Sequence, residues 1–358
     1  IIYQQNKGLN VTNNIAMRAS VAKYIMRLDA DDFLTPDALE IMVSTLENDT
    51  DLGLVFPDYY YTNDDGIITG EEIRHDFDKD VSLFDQPAHG ACTMIRLENL
   101  RMLGGYNESF TCQDGYDLWI KFIMHYKVTN INKPLFYYRR HGNNLTGNEE
   151  RILSTRKKIK ETYVESFKLI TPKTVAIIPV RNTFINKINW PLYKNSNHNT
   201  ILELALEKLE NSKKIDWIVV TSSDKEILDF IESKKTNFSK LLIIKRPFQL
   251  SKSGETLNST FNFILDTLFQ KQIYPEAILS FSLDYPFVTT DIVDDAINTL
   301  AIFKADSLIS VRLDNKMYFQ HTGHGLIPIL EQDKFTRLER EAIYKGQGGI
   351  MLSKVDNF

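Results

Sequence analysis

From Lys173 to the end of the chain, short apolar runs alternate with stretches of helical period, and few folds satisfy that rhythm. The runs "KTVAIIPVR", "DWIVVTSS", "KLLIIKRP", "EAILSFSLDYPF" and "DSLISVR" are rich in Ile, Val and Leu and too short for helices. Between them, "TILELALEKLENS", "DKEILDFIES", "LNSTFNFILDTLFQ" and "TDIVDDAINTLAIF" repeat apolar residues three and four apart. Parallel strands need a long crossover between them, and a helix supplies it. The alternation therefore predicts a largely parallel sheet with helical crossovers.

Upstream, a seam lies at residues 149–172. "EERILSTRKKIKETYVESFKLITP" is helical in pattern, apolar at Ile152, Ile159, Val164 and Phe167, and stops at Pro172. The region before it is again mixed α/β. The expected organisation is a domain at 1–148, a helical linker at 149–172 and a second domain at 173–358. The expected class is α/β, with two Rossmann-like units of mixed or parallel sheet. A length of 358 residues fits two such units. The opening "IIYQQNKGLNVTNN", without Met, reads as the interior of a domain, so the first unit is expected to be incomplete at its N-terminus. The second is expected to be incomplete at its C-terminus.

Composition excludes more than it assigns. The net charge of −5 and the lack of a basic arm give no reason to expect nucleic acid as a partner. No run approaches the length of a transmembrane helix, so only peripheral membrane association stays open. Cys92 and Cys112 are too few for a disulfide framework or a cysteine-built metal site. They read as buried thiols in a reducing compartment, which makes the cytoplasm the expected location.

One stretch carries chemistry. In "KYIMRLDADDFLTPDALEIM", Lys23–Leu28 reads as a short buried strand, and Thr35-Pro36-Asp37 reads as a helix start with Thr35 as N-cap. Asp29, Asp31 and Asp32 are crowded between the two. A solvated turn would explain them. A divalent cation explains them better, because Mg²⁺ and Mn²⁺ take carboxylate oxygens and relieve their repulsion. Ligands of open α/β sheets also bind beyond the carboxyl ends of strands.

The order of "NKGLNVTNNIAMRAS", "LDADD", "HGACTMIRLENLRMLGGYNESFTCQDGYDLWIKF" and "INKPLFYYRRHGNNLT" over residues 1–147 resembles the family-2 glycosyltransferases of GT-A fold. Sugar transfer needs a Lewis acid for the departing diphosphate, a role that suits Asp29 and Asp31. It also needs a carboxylate to take the proton of the acceptor hydroxyl. Asp114 and Asp117 precede the apolar helix "YDLWIKFIMHY". The resemblance implies that Asp114 is the base and that Asp117 fixes the start of that helix beside the acceptor site. It also implies that Asp32, His141 and either Arg139 or Arg140 face the donor, Arg139 being the better match to the family pattern, although His141 reads equally as a surface histidine at a loop. His89 and Gly90 fall where such enzymes shape the acceptor site, and Gly90 permits close backbone approach. The run Tyr59-Tyr60-Tyr61 reads as strand or core. Ala16 and Ala22 depart from the family, which commonly has glycine there.

"KTVAIIPVRNTFINKINWPLYKNSNHNTILELALEKL" and the stretches after it, over residues 173–358, resemble the cytidylyltransferases that make CMP-activated acidic sugars, such as CMP-sialic acid synthetases. Such enzymes cradle a triphosphate with a glycine-rich loop after the first strand. Arg181 keeps its place and Lys187 supplies a second cation in this reading, but "NTFINKINW" is bulky where glycines are expected. Asp284, after "LSFSL", fits a metal ligand at a strand end. Arg246 and Arg337 match basic positions of the family or are surface or structural arginines, and Ser223-Asp224 reads as a helix cap. The combined reading is a metal-dependent transferase (Mg²⁺ or Mn²⁺) with a nucleotide-sugar donor and a glycan acceptor, acting in surface polysaccharide synthesis. Its appended domain is of doubtful activity, with CTP a candidate partner. The alternatives are an active CMP-sugar synthetase with a remnant transferase, and a non-catalytic scaffold that binds a nucleotide or partner.

Overall fold

The structure is a computed structural model that describes residues 1–73, 88, 90–139, 149–196, 199–252, 254–314, 318–321, 323–328 and 343–358. His89, Arg140, His141 and Arg337 lie outside the described residues. The chain forms two compact units, one within Ile1–Thr162 and the other from Tyr163 onward. Both are mixed α/β, the class that the sequence pattern predicts.

The first unit contains α1 (Leu9–Ala19), β1 (Tyr24–Met26), β2 (Phe33–Leu34), α2 (Ala38–Asn48), β3 (Leu52–Thr62) and β4 (Ile68–Glu72). It continues with β5 (Met94–Arg96), α3 (Leu97–Met102), α4 (Asp114–His125), β6 (Lys127–Arg139) and most of α5 (Glu149–Ser166). Its sheet runs β1-β5-β3-β6-β2, with β4 also on β3, and only β3 and β6 are parallel. The centre is β3, buried along nearly its whole length, as its apolar run dictates. Prolines cannot donate to a ladder, and the β3–β6 register slips where Pro57 and Pro134 enter it. Ala38, Met42 and Leu46 of α2 pack with Leu52, Val55 and Phe136. Trp119 of α4 meets Phe56 edge to face at 5.6 Å. Tyr59 and Tyr61 are core residues of β3.

The start of α2 differs from the sequence reading. The helix begins at Ala38 with Asp37 as its N-cap, and the Thr35 hydroxyl donates to Asp37 Oδ1 at 2.8 Å. Thr35 thus closes a turn ahead of the helix. The acids lie in the loop of residues 27–32 between β1 and β2.

The second unit contains β7 (Thr174–Pro179), β8 (Phe184–Ile185), β9 (Ile188–Asn189), α6 (Ile201–Glu210), β10 (Ile215–Ser222), α7 (Lys225–Lys234), β11 (Leu241–Lys245) and α8 (Leu257–Gln270). After these come β12 (Ala277–Phe281), α9 (Thr290–Phe303), β13 (Ser307–Asp314), β14 (Phe319–His321), β15 (Leu326–Pro328) and β16 (Ile343–Lys354). Its main sheet runs β11-β10-β7-β12-β16-β13, with the first four strands parallel and the last two antiparallel. Alternation along β7 sends Ala176 and Ile178 to a core with α6, α7 and α9, and Val175 and Ile177 to a core with α8. Thr200 begins α6 with a complete capping box to Glu203.

Candidate active site

The candidate site of the first unit is assembled around a residue that the sequence reading passed over, Arg27. It follows β1, and its carbonyl accepts from the N–H of Cys92 at 2.8 Å. Its Nη1 donates to Asp114 Oδ2 at 2.6 Å. Its Nε lies 2.9 Å from Asp29 Oδ1 as an ion-pair contact without hydrogen-bond direction, and its Nη2 donates to Asp29 Oδ2 at 3.3 Å. Burial disfavours the guanidinium charge, but Asp114 and then Asp29 outweigh it and the pKa is raised. One partly buried cation therefore joins the expected metal acid to the expected base.

Gly90 completes the contact. A Cβ there would lie 2.8 Å from Arg27 Nη2, and a Cβ on Gly115 would come within 3.5 Å of Gly90 Cα. A side chain on Gly90 would crowd the guanidinium, whereas one on Gly115 would make only ordinary contact with the Gly90 backbone. A pocket beneath is lined by Gly90, Thr93, Tyr106, Asp114, Gly115 and Trp119. The phenol of Tyr106 is pushed up to about 12, chiefly by burial, with Arg27 opposing. Two non-glycine residues with positive φ flank the site: Cys92 at 56° and Gln113 at 60°, immediately before Asp114.

The loop into α4 is held by the asparagines of α1. Asn14 accepts from the N–H of Tyr106 at 2.9 Å and donates to its carbonyl at 2.8 Å. Asn10 donates to the carbonyls of Asn107 and Phe110 at 2.7 and 2.8 Å. Further along, Arg156 of α5 donates to Gln113 Oε1 at 2.8 Å, and its guanidinium stands 4.7 Å from the ring centroid of Tyr116 in α4. These contacts fix the segment that presents Asp114. The Asn-rich "NVTNN" hinted at buried polar work, but periodicity alone cannot name its partners.

The other acids divide by burial. Asp31 is exposed and Asp29 partly so, whereas Asp32 is buried at 8% exposure. Asp32 Oδ1 accepts from the N–H of Arg139 at 2.9 Å, and its other oxygen has no hydrogen-bond partner among the described residues. Burial pushes its carboxyl up to about 6, and Asp31 and Asp29 push the same way. Among the described residues no three His, Cys, Asp or Glu side chains form a metal-holding group. A donor set of acidic oxygens, with excess negative charge and one orphaned oxygen, nevertheless fits a hard divalent ion. Mg²⁺ commonly takes one or two carboxylates and fills its shell with phosphate and water. Arg139 reaches Asp32 through its backbone, and its guanidinium donates to the Asp64 carbonyl at 2.9 Å. Asp117 forms an ion pair with Lys121 at 2.7 Å in the first turns of α4. Cys92 is buried, with its thiol pushed up to about 12 mainly by burial, whereas Cys112 is only partly buried, contrary to the reading of both as buried.

In the second unit the bulky loop is a β-hairpin. β8 pairs with β9 across Asn186 and Lys187, both at positive φ (49° and 66°). The N–H of Asn182 donates to Asp224 Oδ2 at 2.6 Å, and that of Thr183 lies 3.4 Å from Asn189 Oδ1. Arg181 and Lys187 are exposed. Arg246 is buried, with Nε on Ser251 Oγ and Nη2 on the Val180 carbonyl, so its structural reading holds. Asp284 is exposed in a turn with Ser282, because β12 already ends at Phe281. Asp224 is the N-cap residue of α7 but makes no side-chain cap bond; its carboxylate serves the hairpin instead.

Residues 1–102 match Glycosyl transferase family 2. A chondroitin synthase of Escherichia coli is 30% identical over 147 residues, covering 40% of this chain and 21% of that protein. An uncharacterized glycosyltransferase of Methanocaldococcus jannaschii is 32% identical over 146 residues, covering 38% of this chain and 48% of that protein. The chain thus spans between about a fifth and a half of the length of these relatives. A solved CMP:2-keto-3-deoxy-manno-octonic acid synthetase in complex with CTP aligns over 51% of this chain and 75% of its own, at 12% identity and a TM-score of 0.37. Among the described residues no helix is long and apolar enough to cross a membrane.

Proposed function

We propose, from the premise that the chain carries a Glycosyl transferase family 2 domain at its N-terminus, that this unit moves a sugar from a nucleoside-diphosphate donor to a glycan hydroxyl in surface polysaccharide synthesis. The observation that carries the reading is Arg27 bridging Asp29 and Asp114 beside Gly90, with Asp114 and Gly90 also lining a small pocket. Asp114 accepts the proton of the acceptor hydroxyl while that oxygen attacks the anomeric carbon and the bond to the diphosphate breaks. Asp29 and Asp31 would hold Mg²⁺ or Mn²⁺, which when bound neutralises charge on the leaving diphosphate. Asp32 braces the acid loop against β6 through the Arg139 N–H. Gly90 and Tyr106 bound the acceptor side. The glycan class of acceptor is supported by the chondroitin synthase relative, and a cytoplasmic site of action by the free cysteines.

The second unit is proposed to be a nucleotidyltransferase-like scaffold with little or no turnover of CTP. A cradle needs converging N–H groups, and in the hairpin those of Asn182 and Thr183 already face Asp224 and Asn189.

The test is transfer of labelled sugar from a panel of UDP-sugars to glycan oligosaccharides with Mn²⁺ present. Asp114→Asn is expected to lower the rate about 10²–10⁴-fold while UDP binding stays within a fewfold of wild type. Transfer by the variant at the wild-type rate would move the base elsewhere, with Asp117 next to test. No transfer by the wild type from any donor would overturn the reading.

A further inference from the structure

We infer that Arg27 is a positioning residue that couples the two halves of the site: it competes with the divalent cation for Asp29 and, once displaced from it, holds Asp114 for the acceptor. The inference rests on the transferase reading above.

The geometry makes the competition unavoidable. Arg27 spans both carboxylates, at 2.6 Å from Asp114 and 2.9 Å from Asp29. Its side chain and that of Asp114 are each 16% exposed, while Asp29 is 34% exposed. The buried end of the bridge is therefore Asp114, and the end open to a solvated cation is Asp29. The two ends also differ in quality. The Asp114 bond is short and directed, whereas the closer contact to Asp29 lacks hydrogen-bond direction and the directed one is 3.3 Å long. A cation arriving at Asp29 meets the weaker grip. It also meets a positive charge within a few ångströms, which lowers its affinity in a partly desolvated site.

On leaving Asp29 the guanidinium keeps its short bond to Asp114. Gly90 packs against it on one side, where a Cβ would lie 2.8 Å from Nη2. The Arg27 backbone is fixed by the Cys92 N–H, from a residue itself held at positive φ. Nη1 consequently remains on Asp114 Oδ2 and leaves Oδ1 for the incoming hydroxyl. A planar fork suits this task, because one face of the pair can be vacated without moving the other. Arg27 thereby links donor-side binding to the placement of the base, and such linkage is reciprocal.

Two measurements on the full chain read the two sides of this coupling. The first is Mn²⁺ binding without nucleotide, from the electron paramagnetic resonance signal of free Mn²⁺. The second is steady-state transfer. Arg27→Gln is expected to bind Mn²⁺ about tenfold more tightly, because the competing charge is gone. The same variant is expected to lose about 10²-fold in kcat with little change in the donor KM, because the base is no longer held in place. Arg27→Lys, which keeps the charge, is expected to bind Mn²⁺ as wild type does and to recover part of kcat. A residue needed only for folding would weaken Mn²⁺ binding and transfer together, so opposite signs separate the two explanations. Unchanged or weaker Mn²⁺ binding in Arg27→Gln overturns the inference, as does an unchanged kcat. If the wild type transfers no sugar, the transferase reading fails and the Mn²⁺ arm alone decides whether Arg27 guards Asp29. Loss of the folded state in Arg27→Gln shifts the same decision to Arg27→Lys, whose departure from wild-type Mn²⁺ affinity by tenfold or more would overturn it.

Discussion

Replacing Asp32 by Asn offers a direct measure of how much the acid loop destabilises the metal-free protein. The carboxyl of Asp32 titrates at about 6 in the folded state, against an ordinary value of 3.8. Between those values the native state holds a proton that the unfolded chain has given up. Raising the pH through this window therefore removes stability, and the removal is complete once pH exceeds the folded-state value. A difference of roughly two pH units corresponds to about 3 kcal/mol as an upper bound, at ~1.36 kcal/mol per unit. Relaxation of the exposed neighbours Asp29 and Asp31 lowers the expected figure to about 2 kcal/mol. Asparagine keeps the acceptor that meets the Arg139 N–H but cannot ionise. Relative to wild type, Asp32→Asn should thus gain about 2 kcal/mol between about pH 4 and about pH 8, or ~4–8 °C in melting temperature for a unit of this size. Thermal melts in EDTA at both pH values, with hydrogen exchange of β6 peptides marking the first unit's transition, give the comparison. A fixed offset present at both pH values cancels. A gap that is equal at both, or that shrinks as pH rises, would refute the burial argument. Saturating Mn²⁺ should close the gap, because a cation stabilises the carboxylate and not the amide.

Asn14→Ala should cost about 2–3 kcal/mol, since it strands the buried N–H and carbonyl of Tyr106; urea titration checks the loss, and the reduced ordering of the loop should lower kcat for transfer as well. The second unit should release no pyrophosphate from CTP above background with acidic eight- or nine-carbon sugars, and calorimetry should find CTP binding weak or absent. Robust turnover there would show that exposed Arg181 and Lys187 suffice without a glycine cradle.

Much of the second unit was legible because helix and strand periods differ and each predicted run met only one of them. The strands of "DWIVVTSS" and "KLLIIKRP" and the helices of "DKEILDFIES" and "LNSTFNFILDTLFQ" stand where their patterns put them. The acid cluster was legible as an anomaly of charge. Arg27 was not, because a single arginine after a strand carries no sign of its partner 87 residues away, and only the fold reveals it. Thr35 misled for a related reason: a Thr-Pro-Asp run satisfies the rules for a helix start, but the Asp37 carboxylate takes the Thr35 hydroxyl and moves the start on by two residues. Asp284 was placed at a strand end, yet β12 stops three residues short of it and leaves it exposed.

The two units depart from ordinary sequence rules in opposite senses, and the difference bears on which one works. In the first, the departures are concentrated: a buried carboxylate with an orphaned oxygen, a partly buried guanidinium, and two non-glycine residues at positive φ in the segments that meet it. Strain of that kind, of the order of 1–3 kcal/mol per residue, persists only where the surroundings enforce it, and it gathers at working sites. In the second, the loop that would cradle phosphate is engaged internally. Asn182 and Thr183 find acceptors for their N–H groups and Arg246 bonds Ser251 and the Val180 carbonyl, although the hairpin tip also holds Asn186 and Lys187 at positive φ. A phosphate cradle must keep its N–H groups unsatisfied until the anion arrives, so a loop that satisfies them internally has given up the energy with which it would bind. On the proposed reading the first unit keeps electrostatic energy at its acids, and the second offers a triphosphate only the exposed cations Arg181 and Lys187.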